Sequence, residues 1–247
     1  MAVSFAYRIH ALTGFDADSG SASETGQYYR DMTAQWMSES IKEVVNILPP
    51  QILQRCAKVS GTNGTANYTN GTGVAHEEKV ISAIRTRNTE STPQFDNADD
   101  VFVCREIPFV LSHKASDPDS LEYATETDPV FYYEPQVDGT AVKVKVLPKS
   151  SAAVTKAYSV DYPVFTASDS GTYDVVNATS IANFPEEIEN LVVLKAAILA
   201  AEYQLAIEED TEIFLPIIAN LKQEYQQGVL ALKTGNVIPP QQRQGAR

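Results

Sequence analysis

Residues 180–235 read SIANFPEEIENLVVLKAAILAAEYQLAIEEDTEIFLPIIANLKQEYQQGVLALKTG, and they decide the fold class. Pro185 suits the first turn of a helix, where its missing N–H costs nothing. Glu186 and Glu187 follow it and sit well against the positive end of a helix dipole. Leu191, Leu194, Ile198, Ala201 and Leu205 then recur at spacings of three and four, and Ile188, Val192 and Leu199 widen that stripe. Glu208, Glu209 and Asp210 form an acidic turn. Beyond it a second stripe carries Phe214, Ile217, Ile218, Leu221, Tyr225, Val229 and Leu232, with Pro216 near its start and Gly235 at the expected C-terminal cap. A connection this short makes the two helices antiparallel neighbours. Their combined apolar surface exceeds what a hairpin buries, so a third partner is expected: an earlier helix of the chain or a neighbouring subunit.

The earlier helix is legible over residues 23–48. Tyr29, Met32, Trp36, Met37, Ile41, Val44 and Leu48 make its stripe, and Pro49 with Pro50 ends it. A short helix over about residues 50–58 follows, with Ile52, Leu53 and Cys56 inward. The middle of the chain changes character. Short β-rich runs at 74–87, 101–104, 130–133, 141–146 and 156–165 are separated by turn signals such as Asp117-Pro118-Asp119-Ser120 and Asp138-Gly139. Ala141 to Val146 alternates strictly, which buries one face. The expected organisation is α+β. An N-terminal arm occupies 1–22 and a helical body is built from 23–60 and 180–235. An antiparallel β domain is inserted at 74–166, and an extended tail occupies 236–247.

Composition excludes several classes of function. The net charge of −13 opposes tight binding to nucleic-acid phosphates. Two cysteines cannot staple a chain of 247 residues. No stretch reads as about 18 uninterrupted apolar residues, so no membrane span is expected. Arg8 and His10 interrupt the apolar N-terminus, which does not read as a signal peptide. The Asn-x-Thr triplets at Asn63, Asn67 and Asn70 then read as a Gly/Asn/Thr-rich loop over 61–73 rather than as glycosylation sites.

Chemical motifs are equally sparse. Cys104 with His113 lacks a glycine-rich turn to present the thiol. His10, His76 and His113 lack ligand spacing. The stretch starting at Asp16 and Asp18 has Gln27 where a calcium loop needs Glu. Asp117 and Asp119 read as turn-formers. No phosphate-cradling glycine pattern is present. The expectation is a non-enzymatic chain without cofactor or metal.

Three phrases carry a resemblance: WMSESIKEVVNILPP at 36–50, DPDSLEYATETDPVF at 117–131 and SIANFPEEIENLVVLKAAILAAEYQLA at 180–206. With their order along the chain, they resemble the head-to-tail adaptor (connector or neck) proteins of tailed bacteriophages, of the cyanophage kind. The resemblance implies a virion neck protein assembled in the host cytoplasm. It implies a homo-oligomeric ring, a dodecamer, bound to the portal protein and to other neck or tail proteins. DNA would pass through an acidic lumen without specific binding. Segment 236–247 would then meet the portal through Ile238, Pro239, Pro240, Gln241, Arg243 and Arg247. Subunit contacts would fall on Trp36, Leu191, Leu194, Ile198, Leu221 and Tyr225. A tail terminator, stopper or tail-tube subunit, closing its ring through the strands at Val142, Val144 and Val146, is the alternative. A small hydrolase or carbohydrate-binding module using Tyr132, Tyr133, Tyr158 and Tyr162 is a third.

Overall fold

A computed structural model describes residues 3–16, 24–60, 73–75, 78–86, 101–134, 141–148, 155–167, 173–208 and 210–234. The protein is mixed α+β. It divides into two compact units: Met1–Cys56 with Tyr162–Arg247, and Ala57–Asp161.

The first unit is helical. Helix α1 (Phe5–Thr13) begins at Ser4, whose side chain accepts from the Tyr7 N–H at 3.4 Å, and ends at Gly14. There φ is +77°, and the Gly14 N–H reaches the His10 carbonyl at 2.7 Å. That left-handed cap is cheap only for glycine. The free N–H groups of Phe5 and Ala6 donate to the carbonyls of Ala178 and Val175, so the 173–178 loop completes the start of the helix. The expected arm at 1–22 is therefore helical over α1 and packed against the body. Phe5 and Ile9 are fully buried.

Helix α2 (Glu24–Ile47) stops before the Pro49-Pro50 break, and α3 (Pro50–Leu53) runs into a 3-10 turn at Gln54–Cys56. Met37, Ile41, Val44, Val45 and Leu53 have no exposed surface. Helix α4 (Glu186–Glu208) and α5 (Thr211–Thr234) form the antiparallel pair. The Asp210 carboxylate accepts from the Ile213 N–H at 3.3 Å, so the last acid of the turn caps α5. At Gly228 a Cβ would stand 2.6 Å from Leu191 Cδ2. A side chain at 228 would therefore require Leu191 to shift for α5 to stay this close to α4.

Helix α4 is covered by α1, α2 and α5 together. Contrary to the sequence expectation, it is long and apolar enough by composition to cross a membrane. Its buried residues, Ile188 through Ala201, lie around most of its circumference, as in a helix enclosed by others.

The second unit is a seven-stranded sheet in the order β1-β7-β3-β4-β5-β6-β2. The strands are β1 (Lys58–Ser60), β2 (Gly73–Ala75), β3 (Glu78–Thr86), β4 (Val101–Glu106), β5 (Val130–Glu134), β6 (Ala141–Leu147) and β7 (Thr155–Asp161). The expectation of a purely antiparallel sheet is corrected at one pair. Strands β4 and β5 are parallel, with Arg105 opposite Val130 and Glu106 opposite Phe131. Parallel neighbours need a crossover. Residues 107–129 supply it as 3-10 turns and bends in place of the usual helix.

That crossover explains why β5 is buried on both faces. Phe131 packs with Val80, Ala83, Cys104, Val144 and Val146 on one side. Val130 and Tyr132 pack with Ile107, Ala115, Ala124 and Leu147 on the other. The Arg85 side chain, almost wholly buried, donates to the Pro148 carbonyl.

Candidate functional site

The residues expected at subunit contacts are gathered into the helical unit's own interior. Trp36 meets Phe15 edge-on at 5.2 Å between ring centroids and Tyr203 at 5.5 Å. Leu191 and Ile198 are each 3 % exposed and Leu221 is 2 % exposed. Leu194 and Tyr225, both half-buried, pack with Leu12 and Ile217 against Ala197, Ile198 and Leu221. Trp36, Leu191, Ile198 and Leu221 are thus covered within the chain, while Leu194 and Tyr225 keep part of their surface open. The third partner for the α4–α5 seam is the chain itself, through α1 and α2. The portal-contact candidates Ile238, Pro239, Pro240, Gln241, Arg243 and Arg247 lie outside the described residues. So do most of the loop at 61–73, the Asp138-Gly139 turn, the Gly235 cap and most of the region after Asp16.

Polar groups tie the same helices together. Lys195 on α4 reaches Glu43 on α2 at 2.8 Å and lies 5.9 Å from the centre of the Tyr225 ring on α5. The Tyr225 hydroxyl donates to Glu43 at 3.4 Å. Burial, reinforced by the Glu43 carboxylate, pushes that phenol well above its ordinary range. Near the start of α4, Glu189 accepts from the Ile181 N–H, and Arg8 approaches it at 3.6 Å while also donating to Asn190. Burial raises the Glu189 carboxyl, and the Ile181 N–H and Arg8 partly offset that rise.

These arrangements hold helices together; they do not present a nucleophile. Burial pushes Cys56 and Cys104 each up to about 12, so neither thiol is activated. Asp117 accepts from the Asp119 N–H at 3.1 Å, the turn-forming role expected of it. Among the described residues no cluster of His, Cys, Asp and Glu has metal-binding geometry. A shallow depression of about 340 Å³ is lined by Leu12, Pro216, Ile217, Asn220 and Leu221, and it contains no acid, base or thiol. The tyrosines suggested for sugar stacking are committed elsewhere. Tyr132 is buried, Tyr133 donates to the Val80 carbonyl at 3.2 Å, and Tyr162 donates to Asn46 at 3.2 Å. Tyr158 is half-buried.

What faces outward is a different set of apolar side chains. Ile207 (57 % exposed), Ile213 (57 %) and Leu215 (52 %) flank the α4–α5 connection, and Leu230 lies further along α5. In the β unit, Phe109, Val110, Leu121 and Tyr123 are exposed on the crossover. Sequence periodicity passes over such residues because it selects one stripe. Ile213 and Leu215 flank the stripe residue Phe214, and each step along a helix turns the side chain by about 100°.

No protein-family model and no curated protein matches the chain.

Proposed function

We propose that the protein is a structural, non-enzymatic subunit of a bacteriophage neck. It forms a ring between portal and tail and borders the path of the DNA. The observation that carries this reading is the outward apolar set at the α4–α5 connection. The helical core is complete without Ile207, Ile213 and Leu215, yet these large side chains face water. Heterologous contacts around a closed ring would cover such a surface once per copy. The resemblance carried by 36–50, 117–131 and 180–206 points to the same class of assembly. The net charge of −13 suits a wall past which DNA moves without adhering.

The test is to mix the purified chain with portal assemblies and follow size by sedimentation and electron microscopy. A ring seated on the portal is expected, lost when Ile213→Asp and Leu215→Asp are combined. If neither protein changes size on mixing, the reading falls.

A second reading, a tail-terminator or tube-like subunit, draws on the two short edge strands, β1 and β2, at opposite ends of the sheet order. Exposed edges pair readily with other strands. Val144 and Val146 are buried in the unit's own core and do not discriminate, since changing them disturbs folding. Proline at Val59 or Val74 is the better probe: it would abolish strand-mediated rings and spare helix-mediated ones, with circular dichroism checking the fold.

A further inference from the structure

The crossover at 107–129 is an exposed segment braced like a permanent part of the fold. Arg105 pairs with Glu122 at 2.7 Å and with Asp128 at 3.4 Å. The Thr125 hydroxyl accepts from the Asp128 N–H at 3.0 Å, and the Ala124 N–H donates to the Ala115 carbonyl at 2.9 Å. Ile107, Ala115 and Ala124 anchor it on the sheet. On this frame Leu121 is fully exposed, Val110 is 71 % exposed, and Phe109 and Tyr123 are partly so. A segment held this firmly while showing such side chains to water has the makings of a docking surface. Its charge is one-sided: Asp117, Asp119, Glu122, Glu126 and Asp128 stand against Lys114 and the Arg105 that braces Glu122 and Asp128.

The chain contains a segment of complementary character. After Glu224 no Asp or Glu occurs, while Lys233, Arg243 and Arg247 do, and Val237, Ile238, Pro239 and Pro240 precede the two arginines. We infer that the acidic, apolar crossover at 107–129 of one copy receives segment 236–247 of a second copy. Val237 and Ile238 would cover Val110 and Leu121, and the arginines would meet the carboxylates around Asp119. Exposed charge pairs steer and align such a contact, and the apolar side chains supply most of its affinity. This inference rests on the reading that copies of the chain associate. It moves 236–247 from the portal to the neighbouring subunit.

The experiment follows self-association of the full chain by sedimentation across concentration and salt. Leu121→Asp in the crossover, and separately Arg243→Glu with Arg247→Glu in the tail segment, are each expected to weaken association at least tenfold. Mixing those two variants restores one intact contact, so the mixture is expected to associate where neither does alone. Asp119→Lys combined with the two glutamates is expected to recover part of the loss. A synthetic peptide NVIPPQQRQGAR is expected to compete with the wild-type contact, more weakly as salt rises. The inference is overturned if the wild-type chain stays monomeric at every concentration, if the mixture stays dissociated, or if both variants associate as the wild type does. In the last case the ring reading stands and only this contact is lost. Failure to bind portal would strike the ring reading alone.

Discussion

The seam between α4 and α5 and the crossover between β4 and β5 handle apolar side chains in opposite ways. On the seam, Leu191, Ile198 and Leu221 are enclosed by the chain's own α1 and α2. On the crossover, Ile107, Ala115 and Ala124 face the sheet while Val110 and Leu121 face water. A broad apolar stripe is therefore not by itself an interface. The informative surface is the apolar one that remains after the core has closed, and here part of it lies on the α4–α5 connection and on the β4–β5 crossover.

The most damaging test of this contrast is Trp36→Ala. If the ring against Phe15 and Tyr203 is core, thermal or denaturant unfolding should show a loss of about 3–5 kcal/mol. Unchanged stability would mean that Trp36 is not in the core. Leu121→Ala, the matched change on the crossover, should leave stability within about 0.5 kcal/mol. Gly228→Ala comes next. Crowding against Leu191 opposes a gain in helix propensity of about 1 kcal/mol, and overpacking costs of about 1–3 kcal/mol make a small net loss the expected result in the same unfolding assay.

A smaller effect concerns Glu189. Its folded pKa is raised, so the folded state holds the proton more tightly than the unfolded state does. That contribution is fully present below the ordinary glutamate value and fades as pH rises through the raised one. Glu189→Gln keeps an acceptor for the Ile181 N–H and should flatten this part of the stability–pH curve. A curve that keeps the wild-type slope between about pH 4 and 7 would assign the titration elsewhere. The mildest probe uses the thiols. Cys56 lies in the helical unit and Cys104 in the β unit, each pushed up to about 12. At pH 8 neither should react with a thiol reagent until its unit opens. Labelling rates read by mass spectrometry would then compare the opening of the two units directly. Fast labelling of Cys104 in native protein would contradict its place in the sheet core.

How much was legible follows from the range of each signal. The helices at Glu24–Ile47, Glu186–Glu208 and Thr211–Thr234 were readable because periodicity, proline breaks and caps act within a few residues. Strands β3 to β7 were readable for the same reason, whereas β1 (Lys58–Ser60) corrects the expectation of a helix over 50–58 and a helical body to 60, since its pairing partner β7 lies about a hundred residues away. The parallel pairing of β4 with β5 was not readable, because register between strands depends on how residues 107–129 fold back over the sheet. Helix α1 was missed because its start is completed by carbonyls of Val175 and Ala178, far away in sequence. Trp36, Leu191, Ile198 and Leu221 are legible as apolar, but their cover is not, since a stripe does not say what covers it.

By itself, then, the sequence determined the long helices, the strand segments, the α+β class and the acidic charge, all of which depend on residue type and local spacing. Tertiary structure alone decided that α1 and α2 close over the α4–α5 seam, that β5 lies buried on both faces, and that Ile213, Leu215, Val110 and Leu121 are left facing solvent. The physical reason is that burial is a property of neighbours in space. Apolar patterning states which side chains need cover, and only the packed chain settles which of them receive it.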